Sequence, residues 1–173
     1  ALLPTDQGRA FRGLWEEFEA GDSPTAQFVK RMDMSQPLMQ ALLNEAQTPL
    51  DRDIIRDIML TGRSAQLADD WPELYRYAME LLDGRAPTAP SPLRERLRFL
   101  AEADLLKSVL RGTPIFDGSR PENTAEHSWH VALFALTLSD HAVARVNAAR
   151  VVTMMILHDL VEIDAGDVPI HSH

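Results

Sequence analysis

The sequence predicts an all-α protein, an expectation that rests on three observations. Apolar residues recur every three or four positions along most of the 173 residues, which is the stripe of an amphipathic helix. Serine, threonine, proline and glycine punctuate those stretches in the order that starts and stops helices. No two runs alternate apolar and polar residues as a strand pair would.

Phe11, Leu14, Trp15 and Phe18 fall at i, i+3, i+4 and i+7, opposite Arg12, Glu16, Glu17 and Glu19, so a first helix ends near Gly21. Ser23 and Pro24 read as the N-cap and first residue of a second helix. It carries Phe28, Val29, Met32 and Asp33 to about Pro37, whose ring is expected to bend the chain while Leu38 to Leu43 continues it. Leu50 to Leu60 is a third helix, ended by Gly62, Arg63 and Ser64. Trp71 to Leu82 is a fourth, with Leu74, Tyr75, Ala78, Leu81 and Leu82 as its buried stripe. Residues 84–92 hold three prolines and no large apolar side chain, the composition of a linker.

Beyond it, Leu93 to Leu110 is again helical, buried at Leu97, Leu100, Ala101, Ala103 and Leu106. Arg111 to Asn123 is expected to be a loop, and Thr124 to cap a helix reaching about Asp140. Ala142 to Ile163 reads as one long helix, apolar nearly all round at Val151, Val152, Met154, Met155, Ile156 and Leu157. Such a helix is usually central and buried.

Composition narrows the function. Hydrophobic residues make up 45% and charged residues 25% of the chain, the profile of a globular protein rather than a disordered one. The net charge of −9 disfavours a nucleic-acid polymer or an anionic membrane as partner. There are no cysteines, which excludes disulfides, thiolate metal ligands and a cysteine nucleophile. No apolar run approaches the roughly 18 residues that would span a bilayer, and no leader pattern opens the chain. A cytoplasmic enzyme or binding domain is expected.

Two clusters carry possible chemistry. His158 and Asp159 follow the apolar run Met154 to Leu157, where ionisable groups need partners or a metal. Glu162 lies one turn on, and Asp164 and Asp167 add acid around Gly166. Four carboxylates within nine positions repel one another unless a cation is present. Second, His127 and His130 stand three apart at a helix start: both could bind one metal, or one could be a ligand and the other a core or supporting group. A bland reading also exists for each cluster, an internally satisfied His–Asp pair and a capping or surface histidine.

The run Arg120-Pro121-Glu122-Asn123-Thr124-Ala125-Glu126-His127-Ser128, followed about thirty residues later by His158-Asp159-Leu160-Val161-Glu162-Ile163-Asp164-Ala165-Gly166-Asp167, resembles the HD-domain metal-dependent phosphohydrolases. The resemblance is closest to the branch acting on deoxynucleoside 5′-monophosphates. It implies an HD-type helical bundle and one divalent metal ion (Mn, Co, Zn, Fe, Ni or Mg). It also implies that His127, His158 and Asp159 are ligands, with the family's distant Asp matched by Asp33 in Phe28-Val29-Lys30-Arg31-Met32-Asp33. The halves stand in exchanged order. Residues 1–86 resemble the family's C-terminal half and 93–173 its N-terminal half, with 87–92 as linker or junction within a single domain. A circular permutation would explain this. So would two segments of one chain joined in the other order without the stretch between His173 and Ala1; the second is favoured because both halves break off inside that stretch.

The resemblance further implies that Glu162 positions or deprotonates water, that Asp167 contacts the sugar or assists at the leaving oxygen, and that Arg111 holds the substrate phosphate. The bland reading of Arg111 is a helix-end surface cation. Gly112 stands where the branch can place an aromatic residue against the sugar. Trp129 and Phe116 are candidate substitutes, although a Trp on an amphipathic helix is more often core. His171 and His173 are not expected to be ligands. Phosphomonoester hydrolysis of a nucleotide is the expected activity. The alternatives are hydrolysis of a cyclic or pyrophosphorylated nucleotide and a non-catalytic nucleotide-sensing module. Trp15, Phe18, Trp71 and Tyr75 leave apolar surface for a homodimer.

Overall fold

Gly21 closes the first helix as its spacing requires: it adopts φ 70° and its N–H bonds the Glu17 carbonyl, a left-handed cap that glycine reaches without strain. The structure, a computed structural model, describes residues 2–44, 46–85 and 91–167. It divides into two compact units, Ala1–Leu93 and Arg94–His173. Helices dominate both, so the all-α class holds. Of the expected junction, residues 87–90 lie outside the described residues, as do Ala1, His171 and His173.

The first unit contains α1 (Thr5–Ala20), α2 (Pro24–Leu42), α3 (Pro49–Thr61), a 3-10 turn (Arg63–Gln66), α4 (Leu67–Asp70) and α5 (Pro72–Leu82). The Ser23 hydroxyl accepts from the Ala26 N–H at 3.1 Å, capping α2 just before Pro24. α2 then runs through Pro37 without ending. Thr48 and Asp51 form a reciprocal capping box at the start of α3. The core collects one face from each element: Ala26, Leu38, Met39 and Leu42 of α2, Ile55 and Met59 of α3, Leu67 of α4, and Leu74, Ala78 and Leu82 of α5. The last three sit at i, i+4 and i+8, as a helix burying one stripe must place them. α1 contributes no buried residue, and Leu14 and Trp15 are exposed.

The second unit departs from expectation in three places. The helix expected over Leu93 to Leu110 is α6 (Pro92–Ala103), which gives way to a 3-10 segment (Asp104–Ser108). Leu110 therefore belongs to a strand. The expected loop is an antiparallel hairpin of β1 (Leu110–Pro114) and β2 (Pro121–Asn123), with Leu110 opposite Asn123 and Pro114 opposite Pro121. Asp117-Gly118 makes its turn: Gly118 has φ 72°, its N–H bonds the Ile115 carbonyl, and the Asp117 carboxylate accepts from Ser119 N–H. Asp-Gly is among the strongest hairpin signals available, and an expectation of no strand pair overlooked it.

The second departure is the cap of α7 (Thr124–Leu138), which is Asn123 rather than Thr124. Its side chain accepts from the Glu126 N–H, and Glu126 reciprocates to the Asn123 N–H. Thr124 is instead fully buried. A 3-10 turn (Ser139–His141) then ends this segment.

The third departure is the long apolar helix. It begins only at α8 (Ala148–Leu157), where the Asn147 side chain caps the Arg150 N–H. Residues 158–161 form turns before α9 (Glu162–Ala165). α8 packs on α7, but none of its residues is buried, and Met154, Ile156 and Leu157 are exposed. Hydropathy marks what a helix can bury, whereas burial depends on which elements cover it. Among the described residues no helix is long and apolar enough to cross a membrane.

Candidate metal and phosphate site

α7 begins and α8 ends at the same place in the second unit, which brings His127 and His158 within 5.8 Å, ring centre to ring centre. His158 is the C-cap of α8, so the His–Asp pair sits at a helix end rather than inside a buried helix. The His158 Nδ1 lies 2.7 Å from the Met155 carbonyl oxygen. That contact calls for a proton on Nδ1 and leaves the Nε2 lone pair free to ligate. His158 Nε2 stands 3.1 Å from Asp159 Oδ2, and His127 Nε2 stands 3.8 Å from the same oxygen.

His127, His158 and Asp159 thus form a group whose ligand atoms all lie within 4.8 Å of one another. Asp159 Oδ2 is shut off from solvent and has no hydrogen-bond partner. An orphaned buried carboxylate oxygen is costly unless a cation meets it. Donors on a coordination sphere of radius ~2.1 Å stand roughly 3.0–3.4 Å apart; the His158–Asp159 separation falls in that range, and the others run wider, up to 4.8 Å at most. Two imidazoles and a carboxylate suit a borderline transition ion better than calcium. The residues fit a divalent metal.

Arg111 lies on β1 with its side chain 18% exposed, which removes the reading of a helix-end surface cation. Its guanidinium faces four carboxylates: Glu122 at 3.8 Å, Asp159 and Glu162 at 3.7 Å, and Asp167 at 3.5 Å. These are ion-pair distances longer than a hydrogen bond, and the buried Nε has no hydrogen-bond partner. The guanidinium is therefore held in place by charge while its donors stay uncommitted. Four formal negative charges against one positive leave three in excess, which a divalent ion would reduce to one.

The remaining expected residues have definite positions. Glu162 lies at the start of α9, beyond the turns, and its carboxylate accepts from the Thr124 hydroxyl at 2.8 Å. Asp167 accepts from the Gly112 N–H at 3.2 Å. Asp164 is exposed. His130 is not in the metal group; it lies in a run of rings, edge-on to Phe116 at 5.2 Å and to Phe134 at 5.0 Å, and stacked with Trp129 at 5.7 Å. Trp129 is 65% exposed and is not core. Asp33 stands on α2 of the first unit.

Glu122 is the residue that spacing arguments missed. Its carboxylate lies 3.4 Å from His127 Nδ1 and 3.8 Å from Arg111 Nε, with only 14% of the side chain exposed. A carboxylate behind a histidine favours a proton on Nδ1 and turns Nε2 toward a metal. The signal was present in the Pro121-Glu122-Asn123 run, but only the hairpin brings that carboxylate behind the ring. Nearby, Arg120 grips both oxygens of Glu126 at 2.8 and 2.7 Å, and this pairing holds the Glu126 carboxyl down at about 2.

A family model described as HD domain matches the chain over residues 1–75 and 103–173. The chain belongs to the HD-domain family. A solved structure from Magnetospirillum magnetotacticum MS-1, described as a predicted metal-dependent phosphohydrolase, is 46% identical over 50% of this chain and 45% of that one, with a TM-score of 0.48. The aligned part is thus less than half the length of that protein. No curated protein matches the chain.

Proposed function

We propose that this chain is a divalent-metal-dependent phosphohydrolase of the 5′-deoxynucleotidase kind, releasing nucleoside and inorganic phosphate from (deoxy)nucleoside 5′-monophosphates. The observation that carries the reading is Asp159 Oδ2, buried without a hydrogen bond between two imidazoles and beside a guanidinium with uncommitted donors. Metal ligand and anion ligand stand side by side, as binding a phosphate ester requires.

His127, His158 and Asp159 would hold the ion, and family resemblance alone adds Asp33 as a fourth ligand. Bound there, a divalent cation supplies Lewis-acid polarisation of a phosphoryl oxygen. Arg111 offers its fork to the phosphate oxygens and fixes the phosphorus. Glu162, anchored through Thr124, orients water and takes its proton as the water oxygen bonds to phosphorus. The bond from phosphorus to the ester oxygen breaks, and that oxygen takes up a proton. Asp167, beside Arg111 and Gly112, faces the sugar or the leaving oxygen. The chain is read as cytoplasmic and as a homodimer, the second reading supported by the exposed Leu14 and Trp15 of α1.

The test combines elemental analysis with phosphate release across a nucleotide panel. The wild-type chain should carry about one divalent ion and hydrolyse nucleoside monophosphates, and Asp159→Asn should lose both the metal and the activity. A metal-replete protein releasing phosphate from no nucleotide would overturn the proposal, as would a wild-type chain that binds no divalent ion.

A further inference from the structure

The second unit holds a cavity of about 500 Å³ between the hairpin and α7. Its lining includes Phe116, Trp129, His130 and Phe134 together with Glu122 and His127. The last two belong to the charged cluster just described, so one wall of the cavity is the edge of the metal and phosphate site. The rest combines these four rings with aliphatic residues of the hairpin and α7 and with the paired Arg120 and Glu126. Phe116 comes from the hairpin tip and is 92% exposed, which places it at the open side of the cavity rather than in the core. Trp129 and Phe134 likewise keep open faces, at 65% and 48% exposed.

The spacing along α7 gives the cavity a direction. His130 lies about 4.5 Å and Phe134 about 10 Å beyond His127 along the helix axis, at 1.5 Å per residue. A group held at His127 and Arg111 is thus followed along the helix first by the His130 ring, with Phe116 edge-on to it, and then by Phe134. Ring faces with open sides bind a flat π-system by stacking, with little demand for a particular hydrogen-bond pattern. A nucleotide presents phosphate, pentose and planar base in that order.

We propose that this aromatic cavity is the nucleobase subsite, with Phe116 as a stacking residue that selects base-bearing phosphate esters over simple sugar phosphates. The inference rests on the nucleotide reading above, because the phosphate end of the ligand is assigned there. Specificity among bases is low, since stacking tolerates every base.

Free nucleosides test the cavity independently of phosphoryl chemistry, because they carry no phosphate. Equilibrium dialysis of the full metal-loaded chain against adenosine and thymidine should show saturable binding that free ribose at the same concentration lacks. Phe116→Ala should weaken nucleoside binding at least about fivefold, the lower end of the cost of a lost base stack, and Phe116→Tyr should restore it. Because Phe116 is so exposed, neither variant threatens the fold. Nucleosides that fail to bind at millimolar concentration, or that bind Phe116→Ala as tightly as wild type, overturn the proposal. Nucleoside binding without phosphate release from any nucleotide would instead uphold the cavity and sink the hydrolase reading. Hydrolysis without nucleoside binding would do the reverse.

Discussion

Glu162 sits at the meeting point of two constraints: its carboxylate accepts from the buried Thr124 hydroxyl, and it faces Arg111 at 3.7 Å. It does not belong to the His–His–Asp group, so its loss should separate chemistry from metal binding. Glu162→Gln keeps an oxygen for Thr124 but no longer offers a base. We expect the variant to retain its metal and to lose turnover by about a hundredfold or more, the usual scale for a removed acid or base. Elemental analysis beside single-turnover kinetics checks this. Full turnover, or loss of metal as complete as in Asp159→Asn, would refute the assignment. At this scale residue types and spacing marked His127, His130, His158 and Asp159 as candidates, and only the family resemblance singled out His127, His158 and Asp159, the three whose ligand atoms come within 4.8 Å of one another. Glu122 was not legible, because its role depends on a hairpin that swings it behind His127.

Between elements, α3 is tied to the end of α5 by one ion pair: Arg56 reaches Asp83 at 2.8 Å, and Arg85 reaches the other oxygen at 2.5 Å. These hydrogen bonds hold the Asp83 carboxyl below its ordinary value of 3.8. A depressed folded-state pKa contributes stability that is present above the ordinary value and lost as pH falls through the lower folded one. Wild type should therefore unfold at a higher denaturant midpoint than Asp83→Asn near neutral pH. The gap should close as pH falls below about 4. Chemical denaturation of both proteins from pH 7 to pH 2 measures it, and a gap that persists unchanged at the acid end would show that Asp83 acts by packing alone. Where caps and stripes agree, as at Ser23-Pro24 and along Leu74, Ala78 and Leu82, element boundaries could be read from sequence. Hydropathy misled over the stretch from Ala142 to Ile163, because Asn147 starts the helix late and His158, bonded to the Met155 carbonyl, caps it early.

For the whole molecule, the family match in two segments, residues 1–75 and 103–173, accompanies the proposal that the halves stand in exchanged order. If contacts rather than chain order define the fold, a chain with residues 93–173 placed before residues 1–86, joined by a flexible linker of about twenty residues, should fold. It should also keep its metal. Circular dichroism and elemental analysis of that rearranged chain provide the measurement. A soluble, helical product without metal, or an unfolded one, would tell against the exchange.

The bond from His158 to the Met155 carbonyl ties a proposed metal ligand to the final turn of its own helix. Helix ends ordinarily fray, since their last carbonyls lack partners within the helix. Here one of those carbonyls orients the imidazole, so opening the turn would release the ring. Ordering the end of α8 and filling the coordination site then become a single thermodynamic event. An ion bound at the centre should slow local opening, and hydrogen exchange at the amides of residues 155–159 would register that occupancy as slower exchange.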